Sequence, residues 1–135
     1  MSVPSVRFNK KDRPEFYKEL NRRVNKYFKD RNLSKHANLN MKLKTAFMVS
    51  LYFIPLFVLL SGKLTTFWPI FAAYIIMSFG MSGIGLSIMH DANHGSYSTN
   101  KTVNHVLGYL INCIGGYHVT WKIQHNVLHH SFTNI

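Results

Sequence analysis

From Leu64 to Met89 the chain runs for 26 residues without a charged side chain, LTTFWPIFAAYIIMSFGMSGIGLSIM. No other feature limits its fold as strongly. A helix needs about 20 apolar residues to cross about 30 Å of hydrocarbon, and inside lipid each backbone polar group must be satisfied within the helix itself. A second run, Thr45 to Ser61, holds 17 uncharged residues, the short end for a span. Pro55 inside it predicts a kink, which membrane helices tolerate. Only Gly62 and Lys63 separate the two runs, so they predict an antiparallel transmembrane hairpin. Phe67 and Trp68 open the second span, where aromatic rings anchor helices at the interface. Gly80, Gly83 and Gly85 predict close helix packing. The expected fold class is all-α and integral to a membrane: a transmembrane helical hairpin plus cytosolic or interfacial helices.

Charge divides the 135 residues in two. Residues 1–44 carry 13 of the 16 Lys and Arg and four of the five acids. Residues 45–135 keep Lys63, Lys101 and Lys122, with Asp91 opposing them. The first part is a basic arm. Asp12 and Glu15 have capping-box spacing with Pro14 in the first turn, and Phe16, Leu20, Val24 and Phe28 recur every four residues beside Tyr17 and Tyr27. That pattern predicts an amphipathic basic helix. Such a helix lies on an anionic membrane surface or packs on the protein's own cytosolic face. Nucleic acid is not the expected partner, because basic residues are normal beside membrane spans. The same asymmetry puts the arm in the cytosol by the positive-inside rule, the turn at Lys63 outside, and His90 back on the cytosolic side. A bacterial inner membrane is expected rather than the endoplasmic reticulum. The arm has no apolar core of a signal peptide. A single cysteine, Cys113, excludes an internal disulfide and is expected to be a small buried residue.

Counted from Thr65, a helix reaches His90 after roughly 38 Å. His90 and His94 should therefore stand just beyond the hydrocarbon. A third uncharged run, Thr102 to Trp121, contains Asn104, His105, Asn112 and His118. It is too polar for a lipid-facing span and is expected to form an interfacial or protein-covered helix.

Five histidines fall in two short stretches, HDANH at residues 90–94 and HNVLHH at residues 125–130. His90 and His94 are i and i+4 and share one helix face, and His125 and His129 repeat that spacing. His130 should point about 100° away from its neighbour, so the pair can serve two metal ions, or one metal and a bridging group. Neutral imidazole suits zinc, copper, iron and nickel. The lack of a cysteine cluster and the scarcity of carboxylates argue against structural zinc and against calcium or magnesium. Asp91 is either a ligand or, from behind, the group that orients a ligating imidazole. His36, His105 and His118 are expected to be polar side chains satisfied by hydrogen bonds. The sequons at Asn32 and Asn100 fall on the expected cytosolic side and are read as chance.

HDANH resembles the first histidine box, HxxxH, of integral-membrane fatty acid desaturases, and HNVLHH resembles the second, HxxxHH. The flanks MHDANHGSYS and WKIQHNVLHHSFTN are similar to the acyl-lipid and linoleoyl-CoA branch. The resemblance implies a non-haem di-iron centre with His90, His94, His125, His129 and His130 as ligands and Asp91 behind them. It implies removal of hydrogens from an acyl-lipid or acyl-CoA chain with O2, leaving a cis double bond. Family members continue through another hairpin to a third histidine box, which this sequence lacks. Residues 45–135 are therefore expected to be the N-terminal part of a desaturase domain, inactive alone. The arm has no HPGG haem motif, so the electron donor, ferredoxin or cytochrome b5, would be separate. Two alternatives remain at this point: a related histidine-box hydroxylase or ketolase, and a non-enzymatic membrane protein binding metal or haem.

Overall fold

The computed structural model describes residues 14–130, and among them all regular structure is helical. Helix α1 is Pro14–Asp30. Helix α2 is Leu39–Leu60, and α3 is a continuous helix Phe67–Asn93. Both are long and apolar enough to cross a membrane. Only 6% of the apolar window of α2 and 22% of that of α3 are buried, unlike the core helix of a soluble domain. Their large side chains face outward, as Ile54, Phe57, Phe79 and Leu86 do.

α2 begins six residues before the uncharged run. Asn38, in extended conformation, accepts from the Met41 N–H at 2.9 Å and caps the helix. Lys42 and Lys44 then occupy its first turns, where their heads can reach water while the stems cover apolar surface. Lys44 Nζ donates to Ser87 Oγ, 3.0 Å, so the basic end of α2 and the histidine end of α3 share one end of the hairpin. Pro55 lies inside α2, and the helix continues on both sides of it.

The two spans meet at Gly80. A Cβ there would lie 2.6 Å from Tyr52 N and 2.9 Å from Met48 O, so only a hydrogen allows this backbone approach. Around the crossing lies the small core of Tyr52, Met77, Ile84, Ile88, Met89 and Ile111. Tyr52 OH donates to the Cys113 carbonyl, 3.1 Å, joining α2 to the chain beyond α3. Cys113 itself is exposed, against expectation. It ends a four-residue helix whose inward position is taken by Ile111.

α3 changes winding at Ile84–Ile88, a π-helical turn, and resumes as α-helix over Met89–Asn93. Ile84 and Ile88 are fully buried in this turn. The helix ends on His94 with a Schellman arrangement: the Gly95 N–H donates to Ala92 O and the Ser96 N–H to Asp91 O, each at 2.9 Å. Gly95 takes the left-handed φ of +72° that this ending requires.

The third uncharged run is not one helix. It forms α4 (Lys101–Gly108), α5 (Leu110–Cys113) and α6 (His118–Lys122), and α6 runs on into a π-helical segment, Ile123–His129. The break falls at Gly115, φ +95°, after which Asn112 Oδ1 accepts from the His118 N–H and starts α6. Asn100 caps α4 through the Thr102 N–H, 2.8 Å. The arm is tied to the loop after His94. His36 Nδ1–H donates to Ser96 O and the Ala37 N–H to Tyr97 O. No residue of α1 is buried, and Glu19 bridges Arg22 and Arg23. Their guanidinium groups hold the Glu19 carboxyl down at about 2. Asp12, the expected cap of α1, lies outside the described residues. At the other end Asn32, φ +50°, closes α1 by a second Schellman pair, Leu33 N to Phe28 O and Asn32 N to Lys29 O.

Candidate metal centre

Three imidazoles from segments 35 residues apart meet at the histidine end of the hairpin. The available nitrogens of His90, His94 and His125 all lie within 4.8 Å of one another. His90 and His94 are carried by the last turn of α3, and their ring centroids are 4.7 Å apart, as i, i+4 spacing predicts. His125 comes from the π segment, and its Nε2 lies 3.1 Å from His90 Nε2.

The tautomer of His90 follows from its neighbour. Asp91 Oδ1 is 3.1 Å from His90 Nδ1, and a carboxylate only accepts, so Nδ1 carries the proton. Nε2 of His90 then presents a lone pair toward His94 and His125. This carboxylate–imidazole pairing is the usual support behind a ligating histidine. Asp91 is not in the group of three, and the geometry fits the orienting role better than that of a ligand.

His129 and His130 complete the cluster in a way that α-helical geometry does not give. In an α-helix they would diverge by about 100°. In π winding the backbone hydrogen bond joins residues i and i+5, so positions i+4 and i+5 both lie near i. His129 stacks on His125 at 5.2 Å, and His130 packs edge-on to it at 5.0 Å. His130 also comes within 5.0 Å of the His94 ring. The rings of His129 and His130 are themselves 5.5 Å apart. His90, His94 and His125 form the tight core of the cluster, with His130 against His94 and His125 and His129 against His125 and His130.

The donor set fits a transition metal. Two nitrogens 3.1 Å apart can share one ion at metal–nitrogen bonds of about 2.0–2.1 Å. Burial and the neighbouring His90 and His130 push the His94 imidazole below its ordinary value, against the opposing pull of Asp91. His94 keeps an exposed edge, so this desolvation is partial. Burial and the surrounding His90, His94, His130 and His129 lower His125 in the same direction. Both shifts favour the neutral imidazole that a metal requires.

Three residues beyond the expected set shape the site. Trp121 stacks on His125 at 4.4 Å and 18° and stands edge-on to His90 and His94. Its position four residues before His125 was the available signal. Asn93 and Asn126 join the two histidine segments through an amide hydrogen bond. Neither amide has a spacing that the sequence alone would single out.

His36, His105 and His118 stay out of the cluster. His36 is satisfied by Ser96 O, as expected. His118 Nδ1 is buried and, among the described residues, has no hydrogen-bond partner, and the ring lies against Tyr109 at 4.0 Å.

A family model described as fatty acid desaturase matches residues 65–135. The chain is 40% identical over 120 residues to the sn-1 linoleoyl-lipid 6-desaturase of Arthrospira platensis, covering 89% of this chain and 32% of that protein. It is 32% identical over 121 residues to an acyl-lipid (8-3)-desaturase of Physcomitrium patens, covering 90% and 25%. It is 33% identical over 92 residues to the sn-1 acyl-lipid omega-3 desaturase (ferredoxin) of a Synechocystis species, covering 67% and 21%. The chain spans about a third or less of the length of these curated relatives. No solved structure matches it. The family match takes in more than half of the chain and both histidine segments at the end of the membrane hairpin, and the chain belongs to the fatty acid desaturase family.

Proposed function

We propose that residues 1–135 are the part of an O2-dependent acyl-lipid desaturase that carries two of its histidine clusters. The observation that carries this reading is the convergence of His90, His94 and His125 nitrogens within 4.8 Å. In the proposal these three, with His129 and His130, ligate a non-haem di-iron centre. Iron bound there supplies dioxygen activation for removing hydrogens from an unactivated acyl chain. The chain's own residues do the rest. Asp91 holds the His90 proton on Nδ1, Trp121 fixes the plane of His125, and the end of α3 seats the site where the bilayer meets water.

Further ligands from outside these residues complete the metal pair, so residues 1–135 alone hold iron weakly and do not turn over. The substrate is a membrane acyl lipid, which the names of the relatives support over acyl-CoA. The electron donor is a separate protein, and the name of the Synechocystis relative favours ferredoxin over cytochrome b5. Residues 1–44 form a basic cytosolic arm, 45–135 belong to the desaturase domain, and both histidine clusters face the cytosol. The Lys44–Ser87 contact at the histidine end of the hairpin supports this orientation.

The test compares His129→Ala with His118→Ala in the complete protein containing residues 1–135, expressed in a host whose fatty acids are read by gas chromatography. His129→Ala should abolish the new double bond, while His118→Ala should keep a substantial share. Asp91→Asn should insert normally and retain less iron, since partners behind a ligand carry roughly 10–100-fold in affinity or activity. Full activity in His129→Ala would remove that histidine from the ligand set.

A further inference from the structure

Asn126 stands between two candidate ligands, one residue after His125 and three before His129, yet it reaches away from both. Its side-chain Nδ2 donates to the backbone carbonyl of Asn93, 3.2 Å, and Asn93 immediately precedes His94. The amide orientation follows from chemistry, since only its NH2 half can donate to a carbonyl. Asn93 is anchored in turn. Its Nδ2 donates to the Gly108 carbonyl at 3.3 Å and contacts Met89 Sδ at 3.6 Å. At Gly108 a Cβ would lie only 2.4 Å from Asn93 Oδ1 and 3.0 Å from Asn93 Cγ, so the absence of a side chain there admits the anchor. Two amides thus connect α4, the last turn of α3 and the π segment that carries His125.

The second polar contact between these segments is of a different kind. His90 Nε2 and His125 Nε2 are 3.1 Å apart, and a hydrogen bond between them needs a proton on one nitrogen. An ion held by both needs a lone pair on each. The shared proton and the ion therefore exclude one another, and the imidazole pair cannot hold the two segments together in both states. The Asn126 bond uses no ring nitrogen and is available in both. Packing on the π segment is partial, with Trp121 stacked on His125. Among the described residues, none of Ile123–His129 is buried.

Resting on the metal centre proposed above, we infer that Asn126 is a positioning residue. Its amide N–H holds His125 in register with His90 and His94 before and after the ion arrives. A directional bond one residue from each of two ligands sets the spacing between those ligands.

The test is a Co2+ titration of the 135-residue chain in detergent micelles, read by visible absorption. Helicity and thermal midpoint of the metal-free protein are measured in parallel. The proteins are wild type, Asn126→Leu, Asn126→Gln and His125→Ala. Leucine keeps the γ-branched shape and removes the N–H, whereas glutamine keeps the NH2 on a longer arm. Asn126→Leu should weaken Co2+ binding about 10–100-fold with unchanged metal-free helicity and midpoint, and Asn126→Gln should recover part of the loss. Wild-type affinity in Asn126→Leu, with binding lost in His125→Ala, overturns the inference and leaves the metal centre standing. No binding in wild type, or binding indifferent to His125→Ala, removes the metal centre and this inference with it. If Asn126→Leu loses helicity before metal is added, Asn126→Ala takes its place. Loss of helicity in both shows that Asn126 holds the fold rather than the ligand spacing, which also overturns the inference.

Discussion

Replacing Gly80 by alanine adds one methyl group where α2 and α3 touch. The added Cβ would lie 2.6 Å from Tyr52 N, 2.9 Å from Leu51 C and 2.9 Å from Met48 O. All three are backbone atoms, so no side-chain rotation relieves the contact. Carbon atoms rest about 3.5–4.0 Å from their neighbours, so the helices must separate by roughly 1 Å. A gap of that size forfeits a quarter to a half of each dispersion contact it opens. The contacts at risk are those of Tyr52 and Met77 and of the partly buried Met48, Val49 and Phe53. Overpacking of this kind costs about 1–3 kcal/mol. Alanine's better helix propensity returns up to about 1 kcal/mol, so the middle of that range leaves a net loss of at least about 1 kcal/mol. Gly85 is the matched control. It lies five residues on in the same helix, and its added Cβ meets only Ile114 Cδ1, at 4.0 Å. Gly85→Ala should therefore be neutral or stabilising by up to about 1 kcal/mol. Thermal unfolding in detergent, followed by helicity, reads both. Equal midpoints for the two variants, or a Gly80→Ala protein as stable as wild type, would refute the close crossing of α2 and α3.

Topology is read by labelling in a Cys113→Ser background, because the native thiol is exposed. Cysteine at Lys63 should react with an impermeant reagent added outside intact cells and cysteine at Ser98 should not; the reverse would sink the orientation. Acid should weaken the metal-free protein. His94 and His125 lie below their ordinary 6.5 when folded, so the unfolded chain binds more protons beneath that pH. Their contribution is fully present above about pH 6.5 and is lost as pH falls through the lowered values, and a thermal midpoint that rises toward about pH 5 would contradict the shifts. Asn104→Ala removes two donations, to Ser98 O at 2.7 Å and Gly95 O at 3.2 Å, and one acceptance, from Ser98 N at 2.9 Å. It should cost about 2–3 kcal/mol and open residues 95–99 to limited proteolysis; an unaltered cleavage pattern would show that this loop is held by other means.

The sequence showed the hairpin because hydrocarbon imposes a length and a composition on any helix that crosses it. It was less informative about where the helices end. The uncharged run begins at Thr45, but a helix ends where its backbone donors are satisfied, and Asn38 does that seven residues earlier. Lysines in the first turns do not oppose it, since their heads lie at the watery end. The run from Thr102 to Trp121 misled in the opposite sense. Its lack of charge suggested one helix, whereas local hydrogen bonding, from the His118 N–H to Asn112 Oδ1 and from the Gly116 N–H to Ile111 O, makes a turn there. Cys113 was expected inside on residue type alone. Which side of a four-residue helix faces inward depends on Ile111 and on the Tyr52 bond to the chain, neither of which periodicity reveals over so short a stretch.

The histidines divide along the same line. Spacing of i, i+4 pairs His90 with His94 and His125 with His129, and both pairs stand within contact distance. That the two pairs meet is tertiary, and the sequence offered it only through resemblance to a family. His130 was legible only through the resemblance, as part of the second histidine box. A divergence of about 100° from His129 belongs to 3.6 residues per turn, but Ile123–His129 is wound as a π-helix. A π turn costs hydrogen-bond geometry and is found where function requires a particular side-chain arrangement. Here the rings of His129 and His130 both come within 5.2 Å of the His125 ring, and the π turn at Ile84–Ile88 lies just before His90 in the other segment. The two histidine segments therefore share one local device. Each departs from α winding beside its histidines, and each is tied by an asparagine amide, Asn93 to α4 and Asn126 to Asn93. The winding decides which imidazoles can face one another, and the amides decide how far apart they stand.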